Sequence, residues 1–131
     1  ETGHVQVLHV VSVNDVGKAI NPKVIEGQIH GGVMQGIGYA LTEDLILENC
    51  YNMTDSLSKY LIPTVEFTPE ITPVLIEVPH PQGPEGAKGF AEAPSLATAP
   101  AIINAIYDAT GIRISRLPAT PERILSALFI F

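Results

Sequence analysis

Asn21–Leu47 reads NPKVIEGQIHGGVMQGIGYALTEDLIL, and what packs against this stretch decides the fold. Asn21 followed by Pro22 is a helix start, with a side chain that can accept from an unpaired N–H and a proline pre-set for the first turn. No further proline follows before Leu47, so the pattern predicts one helix from Pro22 to about Leu47. Five glycines lie inside it, Gly27, Gly31, Gly32, Gly36 and Gly38, and each costs roughly 1 kcal/mol against alanine in a helix interior. Tertiary contacts must therefore hold this helix. Gly27, Gly31 and Gln35 are four residues apart and share a face. A face without side chains admits either a closely packed helix, the plainer reading, or a bulky cofactor.

Outward from this helix, Val5–Val13 (VQVLHVVSV) is β-branched and apolar and predicts a buried strand, closed by turn residues Asn14–Gly17. Between Asn49 and Glu70 polar residues and proline accumulate, with a short segment Lys59–Pro63 inside. Pro73–Pro79 (PVLIEVP) predicts a second strand, Val74, Ile76 and Val78 alternating against Leu75 and Glu77. His80–Glu92 is almost all turn. Pro100 would clash with the carbonyl four residues before it. A split element is therefore expected, a short turn from Pro94 and a main helix over Thr98–Ala109, with Gly111 just beyond. A short strand over Ile112–Arg116 and a last helix opened by Thr120-Pro121-Glu122 complete the reading. The fold class is α+β: residues 1–131 form one domain, two main helices packed on a small mixed sheet whose strands are Val5–Val13 and Val74–Val78.

Composition narrows the function. Seven Lys and Arg against 14 Asp and Glu leave a net charge of −7, so there is no basic footprint for nucleic acid or an anionic membrane. Gly and Pro together make about 17% of the 131 residues, with 11 of each, against an average of about 12%; close backbone approaches are favoured over long regular elements. Cys50 is the one cysteine, which excludes an internal disulfide framework. No apolar run approaches the roughly 18 residues of a membrane span. The start, Glu1-Thr2-Gly3-His4, has neither an initiator Met nor a signal segment, as expected of a piece of something longer.

Several chemistries fail on spacing. Histidines 4, 9, 30 and 80 share no ligand pattern, so a protein-ligated zinc site is not expected. Lys88 lacks the neighbours of a phosphate loop, and Gly36-Ile-Gly38 lies within a helix rather than after a strand. One carboxylate stands out in Gly89-Phe-Ala-Glu92-Ala-Pro94. Ala91 and Ala93 remove bulk on both sides of Glu92, so a large group can approach it. The following helix N-terminus favours its charged form, whereas an apolar pocket disfavours it, a balance suited to a general base. The plainer reading is a cap on the following helix.

Asp15-Val-Gly-Lys-Ala-Ile-Asn-Pro22, Glu26-Gly-Gln28, Gln35-Gly-Ile-Gly38, Tyr60-Leu-Ile-Pro63, Gly86-Ala-Lys-Gly-Phe-Ala-Glu92 and Ala119-Thr-Pro-Glu122 follow in one order. Together they resemble the C-terminal part of the molybdopterin-binding large subunit of the xanthine dehydrogenase and aldehyde oxidase family, from about Val5 to Leu125. The resemblance implies that Glu92, which matches the acidic residue of the family's Gly-x-Gly-Glu-x-Pro setting, is the catalytic base, that Gln28 contacts the molybdopterin cofactor, and that Gln35 serves helix packing or supports the site from behind. It implies hydroxylation of an electron-poor carbon of a purine-type heterocycle or an aldehyde. The pterin's sulfurs would hold the metal, so no ligands from this chain are expected. Iron–sulfur clusters and FAD would lie on other subunits or domains. The implied partners are the remaining molybdenum-subunit segment, the iron–sulfur and flavin subunits and a small-molecule substrate, in a cytoplasmic oligomer. Ala91 departs from the family's glycine before the base. A carbon monoxide dehydrogenase-type member or a catalytically silent interaction module are the alternatives; the isolated chain is expected to be inactive.

Overall fold

A computed structural model describes residues 2–129. Its elements are β1 (His9–Asp15), α1 (Pro22–Leu41), β2 (Leu47–Glu48), β3 (Tyr51–Asn52), α2 (Leu57–Tyr60), β4 (Glu70–Ile76), α3 (Ala93–Thr110) and α4 (Pro121–Leu128), with single 3-10 turns at Val65–Phe67 and Pro84–Gly86. The α+β reading holds. Parallel and antiparallel pairings both occur, on two separate two-stranded ladders: β1 with β4, and β2 with β3.

The core is the seam between the two long helices. Ile29, Val33, Ile37 and Ala40 recur at helical spacing on α1 and meet Ala99, Ile102 and Ile106 of α3, with Ala119 and Ile124 closing one end. Asn21 caps α1 as expected, its side chain accepting from the Val24 N–H at 3.2 Å. Thr120 caps α4 by accepting from the Arg123 N–H at 3.4 Å. Arg123 then fastens α4 to the loop after α1, bonding Asp44 and the Pro118 carbonyl, each at 2.7 Å.

Five expectations change. The first helix stops at Leu41 rather than near Leu47, because Thr42 and Glu43 both donate their N–H to the Gly38 carbonyl, at 3.0 and 2.8 Å. Glu43 then folds its carboxylate, and Tyr60-Leu-Ile-Pro63 its proline, over the space a side chain on Gly38 would need. The first ladder strand is displaced from Val5–Val13 to His9–Asp15; Val5 and Val7 pack on the core without a ladder partner.

The second strand runs Glu70–Ile76, not Pro73–Pro79, and turns Ile71 and Leu75 inward while Val74, Ile76 and Val78 are exposed. Val11 and Val13 join them, so this parallel ladder is apolar on both faces, as parallel sheets are when both faces are covered. The split element is one continuous helix, Ala93–Thr110, with Pro100 inside. Pro100 and Leu96 both lie on its exposed side. Ile112–Arg116 forms no strand; Arg113 instead stacks on the Tyr107 ring, 3.7 Å from its centroid.

A clamp joins the end of β1 to the loop that leads into α3. Lys88 Nζ meets Asp15 Oδ2 at 2.6 Å, and Asp15 Oδ1 accepts from the Gly17 and Val78 N–H groups at 3.0 and 3.2 Å. Lys88 also donates its N–H to the Val16 carbonyl at 3.0 Å. At Gly17, with φ of +63°, a side chain would collide with the Gly86 carbonyl, so glycine is required. The Lys88 ammonium, then the Gly17 N–H, hold the Asp15 carboxyl down to about 2 from an ordinary 3.8. A depressed carboxyl contributes stability above its unfolded value and loses it as pH falls toward 2. Asp15→Asn is therefore expected to melt below wild type at neutral pH, with the gap closing between about pH 4 and pH 2. A gap that stays constant on acidification would show that the charge contributes nothing.

Candidate functional site

Glu92 occupies the residue before α3, yet its side chain makes no capping hydrogen bond. Ser95 does that work from the other direction, donating its N–H and its hydroxyl to the Glu92 carbonyl at 3.0 and 2.8 Å. The exposed carboxylate of Glu92 turns instead to α1, where the Gln35 amide donates to Oε1 at a long 3.4 Å. The same Nε2 donates to the Tyr39 hydroxyl at 2.7 Å. The plainer reading of Glu92 as a side-chain cap is thus not the geometry found.

The helix glycines explain how the two come together, and they divide between two faces. On one face a Cβ at Gly32 would lie 3.0 Å from the Pro94 side chain, and one at Gly36 would lie 2.5 Å from Thr98 Cβ and 3.1 Å from the Ser95 carbonyl oxygen. These two glycines seat the first turn of α3 directly on α1, and Glu92 begins that turn. On the other face Gly27 and Gly31 have nothing within 4 Å. The packing reading therefore holds for Gly32 and Gly36, whereas Gly27 and Gly31 face open space. Gln35, placed with Gly27 and Gly31 by its spacing, departs from them: the two glycines are exposed on the open stripe, whereas Gln35 is half-buried and reaches Glu92 at the start of α3.

Gln28 lies on that open stripe, exposed, and its side chain makes no hydrogen bond within the described residues. Seven residues separate it from Gln35, two helical turns or about 10 Å along the axis. The structure therefore joins Glu92 to Gln35 and leaves Gln28 further along the same face. Before Glu92 the chain is bare again at Gly89, while Phe90 packs against the core and anchors the segment. Tyr39 is the residue that reading the sequence passed over; its place four residues after Gln35 was the available signal. At the far end of α1 the Tyr60 hydroxyl bonds to Glu43, and this bond, with burial, pushes its phenol above the usual 10.0.

Among the described residues no three His, Cys, Asp or Glu side chains converge to hold a metal ion. Cys50 is an exposed free thiol. No helix is long and apolar enough to cross a membrane among these residues. What the arrangement offers is a carboxylate able to accept a proton, held at the edge of an open, amide-bearing helix face.

Residues 1–69 match the molybdopterin cofactor-binding domain family. The chain is 42% identical over 130 residues to the nicotine 6-hydroxylase large subunit of Paenarthrobacter nicotinovorans, covering 96% of this chain and 16% of that protein. It is 37% identical over 122 residues to a putative xanthine dehydrogenase molybdenum-binding subunit of Escherichia coli, covering 92% and 16%. In three dimensions it superposes on the aldehyde oxidoreductase of Desulfovibrio gigas with a TM-score of 0.89 at 40% identity, over 97% of this chain and 14% of that one. The chain thus spans about a sixth of the length of the curated relatives it matches. On the family match, these identities and the superposition, the chain belongs to the molybdopterin-binding family of molybdenum hydroxylase subunits represented by xanthine dehydrogenase and aldehyde oxidoreductase.

Proposed function

We propose that this chain forms one wall of the molybdopterin site of a molybdenum hydroxylase and supplies its general base, Glu92. The observation that carries this reading is the direction of the Glu92 side chain, away from the cap of α3 and toward the bare face of α1. The face suits a flat, heteroatom-rich ring system, because Gly27 and Gly31 leave open space and Gln28 presents an unpartnered amide beside them. When bound, the cofactor brings its own sulfur ligands for the metal and the two-electron chemistry. Glu92 would accept a proton on its carboxylate as the general base, and Gln28 would hold the pterin through its side-chain amide. Residues 1–131 act as one domain in this reading.

The substrate class is an electron-poor carbon of a purine-type heterocycle or an aldehyde. The names of the relatives support it, since they act on nicotine, xanthine and aldehydes. The remaining molybdenum-subunit segment covers the outer face of the β1–β4 ladder, where Val11, Val13, Val74 and Ile76 are exposed. Iron–sulfur and flavin subunits carry the electrons away, and the complex works in the cytoplasm as an oligomer. In the assembled enzyme Gln28→Ala is expected to lower molybdenum content by up to about tenfold, the worth of one amide hydrogen bond. Elemental analysis reads this directly, and unchanged occupancy would remove Gln28 from the cofactor wall. The chain expressed alone, lacking the other walls, is expected to carry no molybdenum by the same assay.

A further inference from the structure

We propose that Gln35 is a positioning residue for the Glu92 carboxylate and that Tyr39 is the group that fixes Gln35. The proposal rests on the reading of Glu92 as base. Three observations converge on it. Gln35 is half-buried beside the helix seam, one residue from Gly36, whose missing Cβ lets Thr98 of α3 close in. Its Nε2 has two hydrogens and finds two acceptors, Tyr39 Oη at 2.7 Å and Glu92 Oε1 at 3.4 Å. Tyr39 stands one turn on from Gln35, on an element made rigid by its buried opposite face.

The shorter bond does the orienting. A glutamine side chain has three rotatable bonds, and its amide would otherwise sample several rotamers beside an exposed carboxylate. Anchoring one amide hydrogen on Tyr39 aims the other at Glu92 Oε1. That contact restrains one carboxylate oxygen and leaves the second, Oε2, with no partner within the described residues and free to accept a proton. A base held in the productive geometry gains rate through orientation, so loss of the restraint should appear in kcat and spare substrate binding.

The test is a double-mutant cycle in the assembled, molybdenum-loaded enzyme. Gln35→Met keeps the volume and removes both donors; it is expected to lower kcat about tenfold or more with KM and molybdenum content unchanged. Tyr39→Phe removes only the anchor and is expected to lower kcat about threefold. In the double variant Tyr39→Phe should add nothing, because it acts solely through Gln35. Multiplying effects of the two changes would overturn the proposal, as would Gln35→Met within twofold of wild type. Glu92→Gln is run beside them. If that variant stays active the base reading itself has failed; if it is inactive while the cycle is additive, only the positioning role has. A folding defect at Gln35 leaves Tyr39→Phe as the decisive single change, since Tyr39 is 43% exposed and wild-type kcat in that variant would also overturn the proposal.

Discussion

Glu92→Gln in the assembled enzyme is expected to stop turnover while molybdenum content and melting temperature stay at wild-type values. The amide preserves the size of the side chain and can still meet Gln35, but it cannot accept the proton. Loss of a general base typically costs about 10²–10⁴-fold, and coupling to formation of the nucleophile places the effect at the upper end. The cap of α3 is indifferent to the change, because Ser95 bonds the Glu92 carbonyl rather than its side chain. A stability loss therefore cannot imitate the catalytic one. Activity within about threefold of wild type at full molybdenum occupancy would sink the assignment.

Gly36→Ala and Gly31→Ala are expected to move stability in opposite directions. The new methyl at position 36 would stand 2.5 Å from Thr98 Cβ and 3.1 Å from the Ser95 carbonyl oxygen. Neither is the loose end of a side chain, so α3 has to shift. Overpacking of this kind costs about 1–3 kcal/mol, more than the roughly 1 kcal/mol that alanine returns in helix propensity. The shift also carries Glu92, and a displacement of about 1 Å can cost about 10²-fold in rate. At position 31 nothing lies within 4 Å, so the propensity gain of up to about 1 kcal/mol should appear as a higher melting temperature. The same methyl projects into the face assigned to the cofactor, and molybdenum content should fall. Thermal melts and elemental analysis of the two variants separate these outcomes. A Gly31→Ala enzyme with full molybdenum would show that the open face does not receive the cofactor.

Local chemistry made much of this protein readable. Asn21-Pro22 and Thr120-Pro121 start helices where expected, because a cap and its proline act within one turn. Glu92 was conspicuous by the small residues around it. The ordered motifs identify the family, although the structure shows most of them to be joints. Asp15 and Gly17 clamp onto Gly86 and Lys88, Tyr60 and Pro63 close over the end of α1, and Ala119 donates its N–H to the Ala40 carbonyl at 2.6 Å.

Other features depend on partners distant in the chain. The β2–β3 hairpin turns through Asn49 and Cys50 with φ of 49° and 69°, a conformation that asparagine tolerates and that cysteine adopts only under constraint from the strands it joins. Alternation in Pro73–Pro79 is apolar on both faces, so periodicity could not say which face turns inward; packing on the helices chose Leu75. Pro100 argues for a break on local grounds, yet the Ile102 and Ile106 contacts with α1 hold the helix through it. That α1 carries five bare positions is a property of the amino acids alone. Which of them meet α3 and which stay open is decided by where the second helix lies, since a missing side chain acquires meaning only from what occupies its place.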